Sequence, residues 1–171
     1  QTSLDTILLL HSMILSFGGI PLLYYGDALG TLNDTTYLED EHKRDDSRWV
    51  HRPQLDWQRA ERRLIPGTLE YRLFQSLKKM IAARKEIIAF ADHNNRELIE
   101  VENPHLFVFS RFDPHGIGGR VLVVANFDAA PQALAIEPLR KRGFFHHGIV
   151  RDLLRNDNLD IPHGEESHAY V

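Results

Sequence analysis

The chain has 171 residues, 43% of them hydrophobic, with 20 basic against 24 acidic side chains and a formal net charge of -4. That is the composition of a soluble globular protein with one sizeable core. It offers no basic block to neutralise a phosphate backbone and so argues against nucleic acid as a partner. The longest nearly apolar stretch, Ile7 to Tyr25, is interrupted by His11, Ser12, Ser16, two glycines and Pro21, so it is not the run of about twenty apolar residues a membrane span needs.

Thr2 and Asp5 have the spacing of a capping box and predict a helix start. Leu4, Ile7, Leu8, His11, Ile14 and Leu15 then recur at steps of three and four, one buried helical face, and Gly18-Gly19 supplies the helix end. His11 on that face reads as a hydrogen-bonded core histidine. The run Ile20-Pro21-Leu22-Leu23-Tyr24-Tyr25 reads as a strand buried on both faces, as in a parallel sheet covered by helices, with one of the two tyrosines in the core and the other near the ligand end.

From Gly26 to Pro53 the pattern breaks down into seven acids, four basic residues and two histidines among Gly, Asn, Thr and Ser. This predicts a long loop, and such loops tend to carry function. Gln58 to Arg63 predicts a short helix ended by Pro66-Gly67. Thr68 caps a second long helix with Leu69, Leu73, Leu77, Met80, Ile81 and Ile88 on its buried stripe.

Beyond residue 91 the period becomes alternating. Leu98 to Val101, Leu106 to Phe112, Arg120 to Asn126, Ala133 to Ile136 and Gly148 to Leu154 are strand candidates at the spacing of a β-sandwich, and Asp113-Pro114-His115-Gly116 predicts a hairpin turn. The organisation expected is therefore α/β over 1–90 and all-β over 91–171. A strand of the parallel type needs parallel neighbours, and no other segment of the chain supplies them. Together with a start at Gln1, this leads to the expectation of a piece cut from a longer polypeptide.

The loop leaves from the C-terminal end of the expected parallel strand, the edge where α/β sheets and barrels place their ligands. Within it, Asp45-Asp46-Ser47-Arg48-Trp49 and His51-Arg52-Pro53 bring together carboxylates, a planar guanidinium and an indole face, groups that suit a sugar: carboxylates and Arg bind hydroxyl pairs bidentately and the aromatic face packs on the ring. The plainer alternative is a solvated loop in which Arg48 pairs with a nearby Asp. Asp34, Glu39, Asp40 and Glu41 do not have the spacing of the twelve-residue calcium loop, so no metal is expected. His146-His147 would point to opposite faces of a strand and could not easily share one ion. The chain has no cysteine, hence no thiolate chemistry, and no phosphate or dinucleotide loop, so no cofactor is implied.

Gly19-Ile20-Pro21-Leu22-Leu23-Tyr24-Tyr25-Gly26-Asp27 resembles the eighth barrel strand of the α-amylase superfamily. Gly30-Thr31-Leu32-Asn33-Asp34 and Lys43-Arg44-Asp45-Asp46-Ser47-Arg48-Trp49-Val50-His51-Arg52-Pro53 resemble the following loop of amylosucrases and the related sucrose hydrolases. Arg120 to Phe127 resembles a strand of the sandwich that follows the barrel. The resemblance implies that residues 1–90 are the last helix-strand-helix segment of a (β/α)8 barrel and 91–171 a C-terminal antiparallel β-sandwich. It also implies a parent enzyme, bacterial and either cytoplasmic or secreted, that cleaves sucrose with retention through a glucosyl intermediate and passes glucose to an α-1,4-glucan or to water. The nucleophile, acid/base and second Asp would all lie before Gln1, leaving no catalytic residue in this chain. The substrate-binding residues implied or nominated are Arg48, which matches the arginine that pairs with an acid of another loop, with Asp46, Trp49 and Asp27. Ala28 departs from the Glu usual after that Asp. A non-catalytic sugar-binding or structural module remains the alternative from another class.

Overall fold

Helix α1, Thr2–Ser16, buries Leu4, His11 and Leu15 on one stripe. Three of its polar side chains bond back to the helix: His11 Nδ1 bonds the Ile7 carbonyl at 2.8 Å, and the hydroxyls of Ser12 and Ser16 donate to the Leu9 and Ser12 carbonyls. The computed structural model describes residues 2–145, 149–160 and 168–171; the Thr2 side chain of the expected capping box and the pair His146-His147 lie outside the described residues. The helix ends at Gly18 and Gly19, both with positive φ (138° and 69°). Only glycine fits at Gly18, because a Cβ there would stand 2.6 Å from the His93 carbonyl oxygen.

The chain divides into two compact units, one formed by Gln1–Pro21 with Lys79–Val171 and the other by Leu22–Lys78. The first unit holds α1 and the strands. Among the described residues these strands make three antiparallel sheets and no closed barrel, so the molecule combines helices with antiparallel sheet. Strands β1 (Arg96–Leu98), β2 (Leu106–Phe112) and β3 (Arg120–Asn126) form one sheet in that order. β4 (Ala133–Ala135) pairs with β7 (His168–Tyr170), and β5 (Ile149–Asp152) with β6 (Asp157–Asp160). β2 and β3 match the sequence expectation residue for residue. β1 shares only Leu98 with the strand expected over 98–101, and β4 ends one residue sooner than expected. β5 covers Ile149–Asp152 of the expected 148–154, of which Gly148 lies outside the described residues.

Strand β2 is covered on both faces. Leu106 and Val108 join Ile99, Leu134, Leu139 and Phe144 in one core, Leu139 coming from the short helix α4, Glu137–Arg140. The opposite face carries Phe107, Phe109 and Arg111, with Phe17 packed on the two phenylalanines at centroid distances of 6.0 and 5.3 Å. Arg111 is fully buried and donates to the carbonyls of Ser16 (2.6 Å), Asp92 and Asn95 and to the Asn95 side chain (2.7 Å). Arg84 donates to the carbonyls of Leu15 and Gly19. The last turn of α1 has no basic residue of its own, so these two guanidiniums satisfy the helix-end carbonyls and face the negative end of its dipole. Burial, first, and the nearby charges of Arg84 and Arg96 hold the Arg111 guanidinium below its ordinary range.

The hairpin between β2 and β3 turns as expected, with Gly116 N donating to the Asp113 carbonyl at 3.0 Å. The Asp113 carboxylate also accepts from the backbone of His115, Ile117 and Gly118 at 2.8–3.0 Å, and these bonds lower its pKa. A depressed carboxylate stabilises the fold above its unfolded value of about 3.9, and that contribution is lost as pH falls through the folded value. Asp113→Asn is therefore expected to lower the urea midpoint at neutral pH and to flatten its decline between about pH 4 and pH 2. An unchanged acid slope would show that these bonds do not hold the hairpin.

The second unit contains the long loop and the start of a long helix. α2, Trp57–Glu61, is capped by Asp56 and continues as a 3-10 turn to Leu64. α3, Leu69–Glu86, is capped by Thr68, whose hydroxyl accepts from Tyr71 N at 3.1 Å and leans on the Arg62 and Ile65 carbonyls. Leu73 and Leu77 form its buried centre, whereas Leu69 is exposed, as is Ile88 just beyond the helix.

The strand expected over residues 20–25 is not formed. Ile20 and Leu22 are 85% and 89% exposed, and Tyr24 and Tyr25 are both exposed, so neither tyrosine enters a core. The physical reason is pairing: a strand needs an adjacent edge, and among the described residues no strand is hydrogen-bonded to this segment.

Candidate functional site

The loop that follows the apolar segment folds back on itself in three short 3-10 turns, Asp27–Leu29, Thr36–Glu39 and Ser47–His51. Its first turn is closed by Gly30, at φ 61°, and Gly30 is so close to α3 that a Cβ would touch Leu69 and Leu73. Arg59 fixes this turn, donating to the Gly30 carbonyl at 3.0 Å while its Nε bonds Glu70 at 2.8 Å. Glu70 is buried at the start of α3 with Arg62 on its other oxygen. Burial alone would raise its pKa, but the Arg59 bond and the two positive charges hold it lowered.

The two limbs of the loop are stitched at three points. Asp34 N donates to the Val50 carbonyl (2.9 Å), His51 Nδ1 donates to Asn33 Oδ1 (3.1 Å), and the Tyr25 hydroxyl donates to the Pro53 carbonyl (3.1 Å). Between the limbs lies a cleft of about 430 Å³ lined by Tyr24, Gly26, Asp27, Thr31, Leu32, Asn33, His51, Arg52 and Pro53. The Asp27 carboxylate is the only one among these lining residues, and it accepts from Tyr24 N at 3.2 Å. The Tyr24 ring lies 4.3 Å from that of Tyr25; the Tyr25 hydroxyl, first, and burial raise the pKa of Tyr24, while the charge of Arg52 pulls it down. The lining offers one carboxylate, one guanidinium, an imidazole, an amide, two hydroxyls and an aromatic face. That set suits a hydroxyl-rich ring.

Of the four residues nominated from sequence, Asp27 lines the cleft, whereas Asp46, Arg48 and Trp49 are not among its lining residues. Asp46 caps the third 3-10 turn, accepting from Arg48 N at 3.0 Å, and grips the Arg48 guanidinium with both oxygens at 2.7 and 2.8 Å. This pair is open to solvent, the Arg48 side chain being 72% exposed. The Arg48 side chain, its backbone N–H and the charges of Arg48 and Arg52 lower the Asp46 pKa to about 2. Trp49 is half-buried, with the Lys43 ammonium 5.3 Å from its ring centre. Asp34 and Asp40 serve local turns, bonding Thr36, and His42 with Lys43, respectively. Among the described residues no cluster of three or more His, Asp or Glu side chains is placed to hold a metal, and no helix is long and apolar enough to cross a membrane. His51, Arg52 and Asn33 stood in the loop motifs but were not nominated; the signal for them is the fold-back that sets residues 31–33 against 51–53.

Compared with known protein families, the chain matches no family model.

Proposed function

We propose that this chain is the C-terminal part of an amylosucrase-type glucosyltransferase, in which residues 1–90 complete a (β/α)8 barrel and 91–171 form the following sandwich domain. The observation that carries the reading is the segment Ile20 to Tyr25. It has the sequence of a buried strand, it is largely exposed and unpaired with any strand among the described residues, and it leads directly into a cleft walled by the loop whose motifs resemble the amylosucrase loop. In the complete enzyme the missing neighbours are the first and seventh barrel strands, supplied upstream. The upstream carboxylates form and resolve the glucosyl intermediate: an Asp displaces fructose from the anomeric carbon as a Glu protonates the leaving oxygen. The Glu then takes the proton of the incoming glucan hydroxyl. This segment contributes pocket wall, with Asp27 in the cleft and Arg48, Asp46 and Trp49 on the same loop.

The test is a product assay on the polypeptide that carries this segment at its C-terminus. Sucrose is expected to yield fructose and an α-1,4-glucan; free glucose in place of glucan would assign a sucrose hydrolase, and no fructose release would overturn the reading. A non-catalytic sugar-binding module is the second reading, favoured by a cleft walled entirely by residues 24–53. Calorimetric titration of the isolated chain distinguishes it: saturable binding of sucrose or a malto-oligosaccharide supports a module, and no binding supports an incomplete active site.

A further inference from the structure

The loop carries two arginines four residues apart, and the structure treats them differently. Arg48 is committed to a local carboxylate on both arms of its fork. Arg52 is one of the residues that line the cleft, and among the described residues its guanidinium makes no hydrogen bond or ion pair. Its charge is felt by the Tyr24 hydroxyl on the same cleft. The surrounding groups narrow what it would hold. Asp27 sets a negative charge in the lining, which disfavours an anionic ligand. The Asn33 amide has its oxygen occupied by His51, so its N–H₂ is left as a donor. The Tyr24 ring adds a flat apolar face. A guanidinium fork beside such donors matches two adjacent hydroxyl oxygens of a neutral polyol ring.

The geometry points to Arg52 as the residue that binds a vicinal hydroxyl pair of the sugar in this cleft, a role separate from that of Arg48. This inference rests on the glucosyltransferase reading above. It makes Arg52 a binding residue whose loss raises KM more than it lowers kcat, because the hydroxyls it holds are present in substrate and transition state alike.

In the full polypeptide, Arg52→Met is expected to raise KM for sucrose about tenfold with kcat within a factor of two, and Arg52→Lys to raise it about threefold, because an ammonium keeps the charge but not the fork. A wild-type protein that releases no fructose would overturn the glucosyltransferase reading and this role with it. A wild type that is active, with KM of Arg52→Met within twofold, would overturn the role of Arg52 alone. Circular dichroism checks folding; if Arg52→Met does not fold, Arg52→Lys decides, and an unchanged KM there overturns the assignment.

Discussion

Replacing Arg111 by methionine is expected to remove about 4 kcal/mol of folding stability. The side chain is completely buried and its guanidinium reaches the carbonyls of Ser16, Asp92 and Asn95 and the Asn95 amide oxygen. Methionine keeps the apolar stem and much of the volume, so the change isolates the hydrogen bonds. Each buried carbonyl left without a donor costs roughly 1–3 kcal/mol, and part of that is recovered because a buried charge no longer has to be desolvated. The Ser16 carbonyl closes α1, so the same change also loosens the helix end from β2. Small domains hold only about 5–15 kcal/mol, so the variant loses a quarter or more of its stability. Urea titration followed by circular dichroism measures this; a loss under about 1 kcal/mol would show that water or a neighbour replaces the guanidinium. Arg111→Lys should lose more than half as much, because one ammonium cannot reach carbonyls on three segments.

Nothing in the sequence distinguished Arg111 from a solvated strand residue. Its burial depends on α1 returning to the sheet from ninety-five positions away along the chain, and local pattern does not record such contacts. What local pattern does record was legible: the bounds of β2 and β3, the Asp113 turn and the Thr68 cap each depend on residues within a few positions of one another. Strands β6 and β7 escaped because Asp157-Asn158-Leu159-Asp160 has almost no strand character. It pairs with β5 through the turn at Asn156, which takes φ 63°. The opposite error occurred at residues 20–25, where composition announced a strand, but strand formation depends on a partner. In the loop, Asp27 was legible as a cleft residue from its place after the apolar run. Arg48 and Trp49 attracted notice by chemistry, yet the fold-back brings His51 and Arg52 to Asn33 and Asp27 instead.

Arg48 is nonetheless expected to matter greatly to turnover and little to folding. Its pair with Asp46 stands in solvent, where an ion pair gains little because water competes for both partners. The turn itself is capped by the Arg48 backbone N–H, which alanine retains. Arg48→Ala should therefore leave the urea midpoint unmoved. On the glucosyltransferase reading proposed above, a planar fork at this position would exchange Asp46 for a carboxylate of another loop and close the base of a sucrose pocket. Removing it should lower kcat/KM for sucrose about 100-fold, the scale of losing one well-placed charged donor. Asp46→Asn supplies the contrast. If Asp46 only parks the guanidinium, that variant frees Arg48 and should stay within about threefold of wild type; equal losses in the two variants would mean that the local pair itself is the working unit.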